Sequence, residues 1–513
     1  MDILAKRTKI VATIGPASDN PETIRALIEA GANVFRLNFS HSDPEAARAT
    51  VERICKARES MRRPIAIMAD IKGPAVRMYG YAQKLPLAAG DSLVIESRPA
   101  EGLETLASTD SNLVYTNLPE IDTLCVIGQK VLLMDGNISG EVTAKARDRI
   151  TVRVGNAAEL RPKAHLTIPN VDYPIPFLSD KDIRDITFAV ENEVEYIALS
   201  FVRNATDIEE VRRLVLRVKS RSGRHMTPKL IAKIESAKGL SASNEIVAAA
   251  DGIMVARGDM GVEIAIEAVP IAQKKLIRAG SLAAKPVITA TQMLESMIES
   301  PLPTRAEASD VANACFDSTS AVMLSGETAI GRFPVKVVET MSSIITTVEA
   351  EFDYEGFHEH TPEYARSSEL AAVVSYSALS IAYEVNAAGI IVITETGRAA
   401  QLFSRLRPRM PILAFTGNKT VYNQLAMNWG VSSFMFENSG GSLEDYVRNI
   451  FANNSSMFEN SMENMGMMDV LTFGILERCR QAGALKKGDV VVIVAGLPLL
   501  RKGATNMIRV ETV

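Results

Sequence analysis

The sequence lacks several features that would place it in a specialised class of protein. No apolar run approaches the roughly 18 residues of a membrane-spanning helix, and the first residues lack the apolar core and cleavage site of a signal peptide. Lys and Arg number 56 against 61 Asp and Glu, so a net charge of −5 gives no sign of a nucleic-acid-binding protein. The four cysteines have neither metal-site nor redox spacing. We therefore expect a cytoplasmic protein with no nucleic-acid or membrane partner.

What the sequence does contain is a regular alternation of apolar runs and amphipathic stretches. Hydrophobic residues make up 47% of the 513, and roughly 150 residues per domain predicts about three domains. Eight apolar runs precede residue 350: Lys9–Ile14, Asn33–Phe39, Ile65–Ile71, Tyr196–Phe201, Leu230–Ile234, Gly252–Ala256, Pro286–Ala290 and Ala321–Leu324. Alternating β and α segments would fit an open, doubly wound sheet, but the count of eight favours a closed (β/α)8 TIM barrel.

Two further regions interrupt or follow this alternation. Between Ile71 and Asp180, short strands separated by Gly, Pro, Asn and Asp predict a small β-barrel domain inserted after strand 3. This position would allow it to act as a lid. After residue 355 the pattern predicts a C-terminal α/β domain. The predicted division is 1–71 with 167–350 for the barrel, 72–166 for the lid and 351–513 for the C-terminal domain.

Polar side chains follow several of the predicted barrel strands, at the end where barrel enzymes place their chemistry. They are Arg36, Asn38 and Ser40 on strand 2, Asp70 at the end of strand 3, Lys233 and Glu235 at the end of strand 5, Asp259 after strand 6 and Thr291 after strand 7. Each signal also has a simpler explanation, such as a solvated strand face, a turn residue at Asp70, or an internal ion pair between Lys233 and Glu235.

Taken together, these residues predict an anion site with a divalent metal. Glu235 and Asp259 would bring two carboxylates from neighbouring strands, which suits Mg²⁺. Lys233 beside them would supply a positive charge for a phosphoryl group. The residues themselves do not choose between phosphoryl transfer, aldol cleavage and enolisation.

Seven segments of the chain closely resemble motifs of the pyruvate kinase family, in the family's order. They are Thr8–Ser18, Asn33–Ser42, Ala232–Gly239, Met254–Ile264, Thr289–Met297, Pro303–Asn313 and Met323–Ala329. The resemblance extends over essentially the whole chain and implies the same three-part architecture. It also implies phosphoryl transfer from phosphoenolpyruvate to ADP, which gives pyruvate and ATP.

The resemblance further implies a role for each matching residue at the substrate. Arg36 would hold the phosphoryl group, and Lys233 would stabilise it during transfer. The amides of Gly258 and Asp259, with the hydroxyl of Thr291, would bind the substrate carboxylate. Thr291 would also take part in a water-linked proton relay to the enolate.

Metal and nucleotide contacts follow from the same motif match. Glu235 and Asp259 would bind Mg²⁺ or Mn²⁺, and a second divalent ion would arrive with the nucleotide. Arg77, with His41 and Asn38, would contact the nucleotide. Monovalent-cation ligands would be Asn38, Ser40, Asp70 and the carbonyl of Ile71.

Three departures from the family pattern affect these expectations. Ala75 stands where the family often has an acid associated with K⁺ dependence, so K⁺ activation is left open. The lid segment Lys163–Pro169 differs from the usual family stretch. The turn Thr394–Ala399 resembles the family's sugar-phosphate effector site, but here Glu395 adds a negative charge and Ala399 lacks a hydroxyl. The sequence of this turn is therefore equally compatible with an effector site and with a plain turn.

The resemblance implies a homotetramer with communication between effector and active sites, the effector being a sugar phosphate or a nucleotide. Two alternatives to a kinase are a lyase or aldolase on a Mg²⁺–enolate barrel, and a catalytically weakened metabolite sensor. The intact Lys233, Glu235, Asp259 and Thr291 argue against a pure sensor. The segment 453–468, rich in Asn and Met, has no assigned role.

Overall fold

The computed structural model describes residues 6–40, 44–99, 102–103, 108, 110, 112–359, 369–436, 450, 467–497 and 505–513. The strands of this part of the chain are β1 Lys9–Ile14, β2 Val34–Asn38, β3 Ala66–Ile71, β4 Met78–Tyr79, β5 Leu85–Leu87, β6 Ser92–Ser97, β7 Leu113–Thr116, β8 Lys130–Leu133, β9 Ile138–Ala146, β10 Arg149–Val154, β11 Ala158–Leu160, β12 Leu166–Thr167, β13 Tyr196–Leu199, β14 Lys229–Ile234, β15 Gly252–Ala256, β16 Val287–Ala290, β17 Ala321–Leu324, β18 Gly389–Ile393, β19 Ile412–Thr416, β20 Val431–Met435, β21 Val490–Gly496 and β22 Thr505–Thr512.

The helices of the same ranges are α1 Pro21–Ala30, α2 Pro44–Met61, α3 Ile121–Leu124, α4 Asp180–Glu191, α5 Ala205–Ser222, α6 Ala237–Ser241, α7 Ser243–Ala249, α8 Arg257–Glu263, α9 Val269–Leu282, α10 Arg305–Phe316, α11 Gly326–Ala329, α12 Pro334–Ala350, α13 Tyr354–Glu359, α14 Leu370–Glu384, α15 Arg398–Leu406, α16 Lys419–Gln424 and α17 Met467–Gln481. Short 3₁₀ turns lie at Ile266–Ala268, Glu295–Ile298 and Leu425–Met427. Within the described ranges, no helix is both long and apolar enough to cross a membrane.

Eight parallel strands close into a barrel in the order β1-β17-β16-β15-β14-β13-β3-β2. All residues of β1 and β3 are buried, because the barrel interior covers one face of each strand and the surrounding helices cover the other. The predicted (β/α)8 barrel is therefore confirmed, and the open-sheet alternative is excluded.

Local sequence signals explain where many of the surrounding helices begin and end. The Asn20 side chain caps α1 by accepting from the Thr23 amide, and Gly31 ends that helix with φ of 114°. Thr304 and Glu307 form a capping box at the start of α10. These signals fix helix positions against the barrel and so fix the strand ends that carry the polar residues.

The inserted region after β3 forms a seven-stranded, barrel-like sheet in the order β12-β8-β9-β10-β6-β7-β4, with β11 and β5 paired separately. Its own apolar core includes Leu93, Val131 and Ile150. The C-terminal region forms a five-stranded sheet in the order β20-β19-β18-β21-β22, in which only the β21–β22 pair is antiparallel. Both regions have the fold class predicted from the sequence.

The C-terminal region also fills the bottom of the barrel. Ala426 and Met427, from the turn after α16, belong to the same buried cluster as the interior residues Met68 and Met254. At the same end, the Lys9 ammonium donates to the carbonyl of Val431 at 2.8 Å. The amino ends of the barrel strands are thus covered, and the carboxyl ends face the lid.

Three parts of the structure differ from the sequence prediction. The sequence pattern predicts no helix between the sixth barrel strand and residue 267, but Arg257–Glu263 forms helix α8. The pattern also predicts one helix over residues 239–250, where the structure has two, α6 and α7. In the lid, the sequence pattern predicts strands at 92–96, 131–134, 150–154 and 165–168 but not β4, β5, β7, β9 or β11. The longest of these, β9, has mostly exposed or half-buried residues and weak apolar alternation.

Candidate active site

Lys233 lies at the centre of a group of polar side chains at the carboxyl end of the barrel. Its ammonium is 2.7 Å from the Ser200 hydroxyl, 3.0 Å from a Glu235 carboxylate oxygen and 3.2 Å from an Asp70 oxygen. Burial alone would lower the pKa of Lys233, but the carboxylates of Asp70 and Glu235 outweigh it and raise that pKa. Lys233 is therefore a fixed positive charge.

Arg36 on β2 is the second cation of this group. Its Nε donates to Asp70 Oδ2 at 2.6 Å, and an Nη donates to the Thr13 hydroxyl at 3.1 Å. Asp70 therefore pairs with both cations. Burial raises the pKa of Asp70, but Arg36 and Lys233 outweigh it and keep that pKa below its usual value. The bridge holds two cations side by side, as binding a multiply charged anion requires.

Glu235 and Asp259 are the two acids predicted to bind a divalent metal. Glu235 is 1% exposed and its Oε2 accepts from the Phe201 amide at 2.6 Å. Burial, with repulsion from Asp259, raises the pKa of Glu235 to about 7, and burial also raises the pKa of Asp259. A cation bound between two such carboxylates would stabilise their ionised forms. This pair of oxygen donors therefore fits Mg²⁺ or Mn²⁺.

Thr291 and Gly258 meet at the end of β16. The Gly258 amide donates to the Thr291 hydroxyl at 2.8 Å. Thr291 has φ of 69° and Gln292 has φ of 54°, a left-handed conformation that costs free energy in residues with a Cβ. Arg257 holds the segment by donating to the Thr291 carbonyl at 2.7 Å and pairing with Asp310 at 2.7 Å. The Gly258 amide at the start of α8 thus points towards the Thr291 hydroxyl.

The lid reaches the rim through Asp135 and His165. His165 Nδ1 lies 3.0 Å from Asp135 Oδ1, and one ligand atom from each of Asp135, His165 and Asp259 lies within 4.8 Å of the other two. A cavity of about 450 Å³ lies here between lid and barrel, and Phe201 lines it together with these residues. This volume suits a small-molecule ligand.

The predicted nucleotide and monovalent-cation residues are only partly brought together. Asn38 and Asp70 are paired in register on β2 and β3, and the Ser40 amide donates to Asn38 Oδ1 at 3.1 Å. The Ile71 carbonyl accepts from the Ser200 hydroxyl at 2.8 Å. Arg77 lies beside the lid, where it donates to the Lys163 carbonyl at 3.1 Å.

Two sequence predictions fall on positions outside the described residues. They are His41 and most of the segment 453–468. The predicted effector turn is described: the Gly397 amide donates to the Thr394 hydroxyl at 3.0 Å, and Gly397 has φ of 81° before α15 begins at Arg398.

Four residues at the site were not assigned roles from the sequence. Ser200 and Thr13 are single hydroxyls at barrel strands, so the strand-end rule that selected Lys233 could have found them. Arg257 was noticed only as a neighbour of Gly258, and Asp135 only as part of a lid turn. Their roles depend on three-dimensional contacts between segments distant in the sequence.

The chemistry that this arrangement can perform is phosphoryl or carboxylate chemistry on a small anion. The site combines the side-chain cations of Arg36 and Lys233, the carboxylates of Glu235 and Asp259 that could bind a metal, and the Gly258 amide. The inserted domain lies over them. Preorganised charges of this kind stabilise a group that moves between oxygens without covalent help from the protein.

Comparisons with known proteins match nearly the full length of this chain to pyruvate kinases. The family model described as the barrel domain of pyruvate kinase matches residues 5–338, and that of its alpha/beta domain matches residues 372–511. A pyruvate kinase from Geobacillus stearothermophilus is 37% identical over 513 residues, covering 99% of this chain and 81% of the relative. One from Mycobacterium tuberculosis is 37% identical over 511 residues, covering 99% of both chains. A crystal structure of a pyruvate kinase from Cryptosporidium parvum matches with a TM-score of 0.86 and 33% identity, covering 100% of this chain and 97% of the other.

Proposed function

Because the chain belongs to the pyruvate kinase family, it is a phosphotransferase, and we propose how its rim residues share the transfer from phosphoenolpyruvate to ADP. Arg36 binds the phosphoryl group and, with its partner Asp70, keeps that group beside Lys233. The Lys233 ammonium stabilises the negative charge on the phosphoryl oxygens as the group leaves the substrate oxygen. Arg36 and Lys233 are largely shielded from solvent, which strengthens the electrostatic attraction of each side chain to the phosphoryl group.

The other end of the substrate is held by the start of α8. The amides of Gly258 and Asp259 and the hydroxyl of Thr291 bind the carboxylate, which fixes the three-carbon skeleton for in-line transfer. When the phosphoryl group has left, the enolate requires a proton on its terminal carbon. The Thr291 hydroxyl relays that proton: it gives its own proton to a bound water, which protonates the carbon, and it regains a proton from solvent. The Gly258 amide and the Ala290 carbonyl hold the hydroxyl in position.

Glu235 and Asp259 hold the divalent metal that the family requires. Mg²⁺ or Mn²⁺ supplies positive charge to the substrate oxygens when it is bound. Glu235 is oriented by the Phe201 amide, and Lys233 balances part of its charge. A second divalent ion accompanies the nucleotide, which Arg77, His41 and Asn38 contact.

The position of Lys233 is the observation that supports this proposal most strongly. Its ammonium lies 3.0 Å from a carboxylate oxygen of Glu235, a proposed metal ligand, and 3.2 Å from an oxygen of Asp70. Asp70 also pairs with Arg36. In a coupled assay, we expect phosphoenolpyruvate, ADP and Mg²⁺ to give pyruvate and ATP in equal amounts. Pyruvate formed without ADP would indicate a lyase or phosphatase instead. An absence of both products would indicate a binding protein.

We also propose that Asn38, Ser40, Asp70 and the Ile71 carbonyl bind a monovalent cation. Replacing Asn38 by alanine removes one oxygen ligand, so the K⁺ concentration for half-maximal rate should rise by about fivefold, the equivalent of one lost polar contact. The measurement is the initial rate against K⁺ in a tetramethylammonium background. Asn313→Ala, on the exposed face of α10, is the matched control and should leave the curve unchanged. A rate that K⁺ does not affect in the unmodified enzyme would contradict this site.

The homotetramer and the effector site are proposals that rest on the family alone. Light scattering of the purified chain should give four times its mass of 55.6 kDa, and a monomer would contradict the assembly. For the effector, what supports the proposal is the strand–turn–helix at residues 394–399, a type of turn that can bind an anion at the start of a helix. The predicted cytoplasmic location stays a prediction.

A further inference from the structure

A second cavity lies at the opposite end of the barrel from the candidate active site. It has a volume of about 540 Å³ and lies between the end of α2 and the C-terminal region, beneath α16 and β20. That volume is typical of small-molecule sites. The residues assigned above to substrate, metal or nucleotide do not line it.

The side chains around this cavity are strongly basic. Arg58, Arg62, Arg63, Lys419 and Arg478 line it, with Glu59 as the one acid among its lining residues. That acid is paired with Lys419 at 2.7 Å. Within the described ranges, the guanidinium groups of Arg62 and Arg63 make no ion pair or side-chain hydrogen bond. The cavity therefore has an excess of positive charge that an anion would balance.

Buried polar atoms at the cavity also lack partners. Ser433 is 8% exposed, and its hydroxyl has no hydrogen-bond partner among the residues that the structure describes. Arg58 is 9% exposed and its Nε likewise has no partner among those residues, although its Nη1 donates to Glu195 and to the Ile65 carbonyl. Buried polar groups are normally paired, because an unpaired one loses its hydration without compensation. Oxygen atoms of a bound anion would supply the missing acceptors.

The remaining wall is apolar and aromatic. Phe434 lies against Phe415 with ring centroids 5.0 Å apart and planes at 12°, so its position is fixed. Tyr422 and Met435 lie beside it. A small organic group attached to the anion would have an apolar surface to pack against.

We propose that this cavity binds a phosphate dianion, either free or carried by a small phosphorylated metabolite. Arg62 and Arg63 supply the charge, since the planar guanidinium group can donate two parallel hydrogen bonds to two oxygens of one phosphate. The Ser433 hydroxyl donates to a phosphate oxygen. The aromatic wall accommodates the organic part when there is one.

The test is calorimetric titration of the full chain with inorganic phosphate, ribose 5-phosphate and AMP, each without phosphoenolpyruvate. We expect at least one of them to bind, and the double variant Arg62→Ser/Arg63→Ser to bind it about tenfold or more weakly. Tighter binding of either monoester than of inorganic phosphate would identify the occupant as a phosphorylated metabolite. Equal binding would identify it as free phosphate. Absence of binding for all three, or unchanged affinity in the double variant, would overturn the proposal.

Two further variants separate binding from folding. Arg213→Ser/Arg217→Ser removes the same charge from the exposed surface of α5 and should leave the affinity unchanged. Ser433→Ala should weaken binding about fivefold while leaving the melting temperature equal or higher, because the hydroxyl has no partner to lose. Unchanged affinity in Ser433→Ala would overturn its assigned contact. Arg58 is kept in all variants because it pairs with the buried Glu195.

Discussion

Replacing Lys233 by methionine is expected to abolish turnover while substrate binding is largely retained. The ammonium is the buried charge that we place against the moving phosphoryl group, and removal of one such preorganised donor costs about 10²–10³ in kcat. Arg36, the Gly258 amide and Thr291 still hold the substrate in its ground state. The measurement is kcat from the coupled assay, with phosphoenolpyruvate affinity taken from calorimetry.

The matched control for this experiment is Lys229→Met. Lys229 begins the same strand, β14, at the opposite end of the barrel, and burial lowers the pKa of its ammonium. Loss of that side chain should leave kcat within a factor of about two, since it does not contact the site. Retained turnover in Lys233→Met, or an equal loss in both variants, would contradict the role assigned to Lys233. A melting curve for each variant checks that the barrel is folded.

Replacing Glu235 by glutamine should raise the Mg²⁺ concentration required for activity and lower kcat at saturation. The substitution keeps the size of the side chain but removes a negative charge from an oxygen pair that we assign to the metal. Loss of one carboxylate ligand should weaken metal binding by roughly 10–100-fold, the range seen for changes near metal ligands. Initial rates against Mg²⁺, and Mn²⁺ binding followed by electron paramagnetic resonance, measure the two effects separately.

Glu263→Gln is the control for Glu235→Gln, because it makes the same change at another carboxylate near Asp259, in the cavity between lid and barrel. Glu263 is not assigned to the metal, so the Mg²⁺ curve should be unchanged. Burial raises the pKa of Glu263 to about 7. The folded chain therefore holds that proton more tightly than the unfolded one, and the group's contribution to stability falls as pH rises from about 4.5 to 7. Glu263→Gln should accordingly raise the melting temperature at pH 8. A Mg²⁺ dependence that changes equally in both glutamine variants would contradict the assignment of Glu235.

The barrel could be predicted closely from the sequence because its physical signal is strong. Strands buried on both faces must be almost wholly apolar, and β1, β15 and β17 have the limits that the apolar runs indicated. Polar residues directly after such strands stand out for the same reason. Lys233, Glu235 and Asp70 were recognisable as candidates before any contact was known.

Other parts could not be predicted because their signals are weak or depend on distant contacts. Gly258 and Gly261 disfavour a helix, yet α8 forms where Arg257 binds the Thr291 carbonyl. The lid strand β9 has mostly solvated residues and little alternation. The closeness of Asp135 and His165 to Asp259 depends on how the lid lies over the barrel, which no local pattern specifies.

The presence of Met427 inside the barrel has a consequence for the order of synthesis. All eight barrel strands have been synthesised when residue 324 has been added, but the side chains that cover the amino ends of those strands come from the later turn at Leu425–Met427. Until then, a nascent barrel exposes apolar interior surface at that end. Exposed apolar surface in an incomplete chain attracts chaperones and favours aggregation. We therefore expect the barrel to need chaperones until the C-terminal region has been translated and covers this surface.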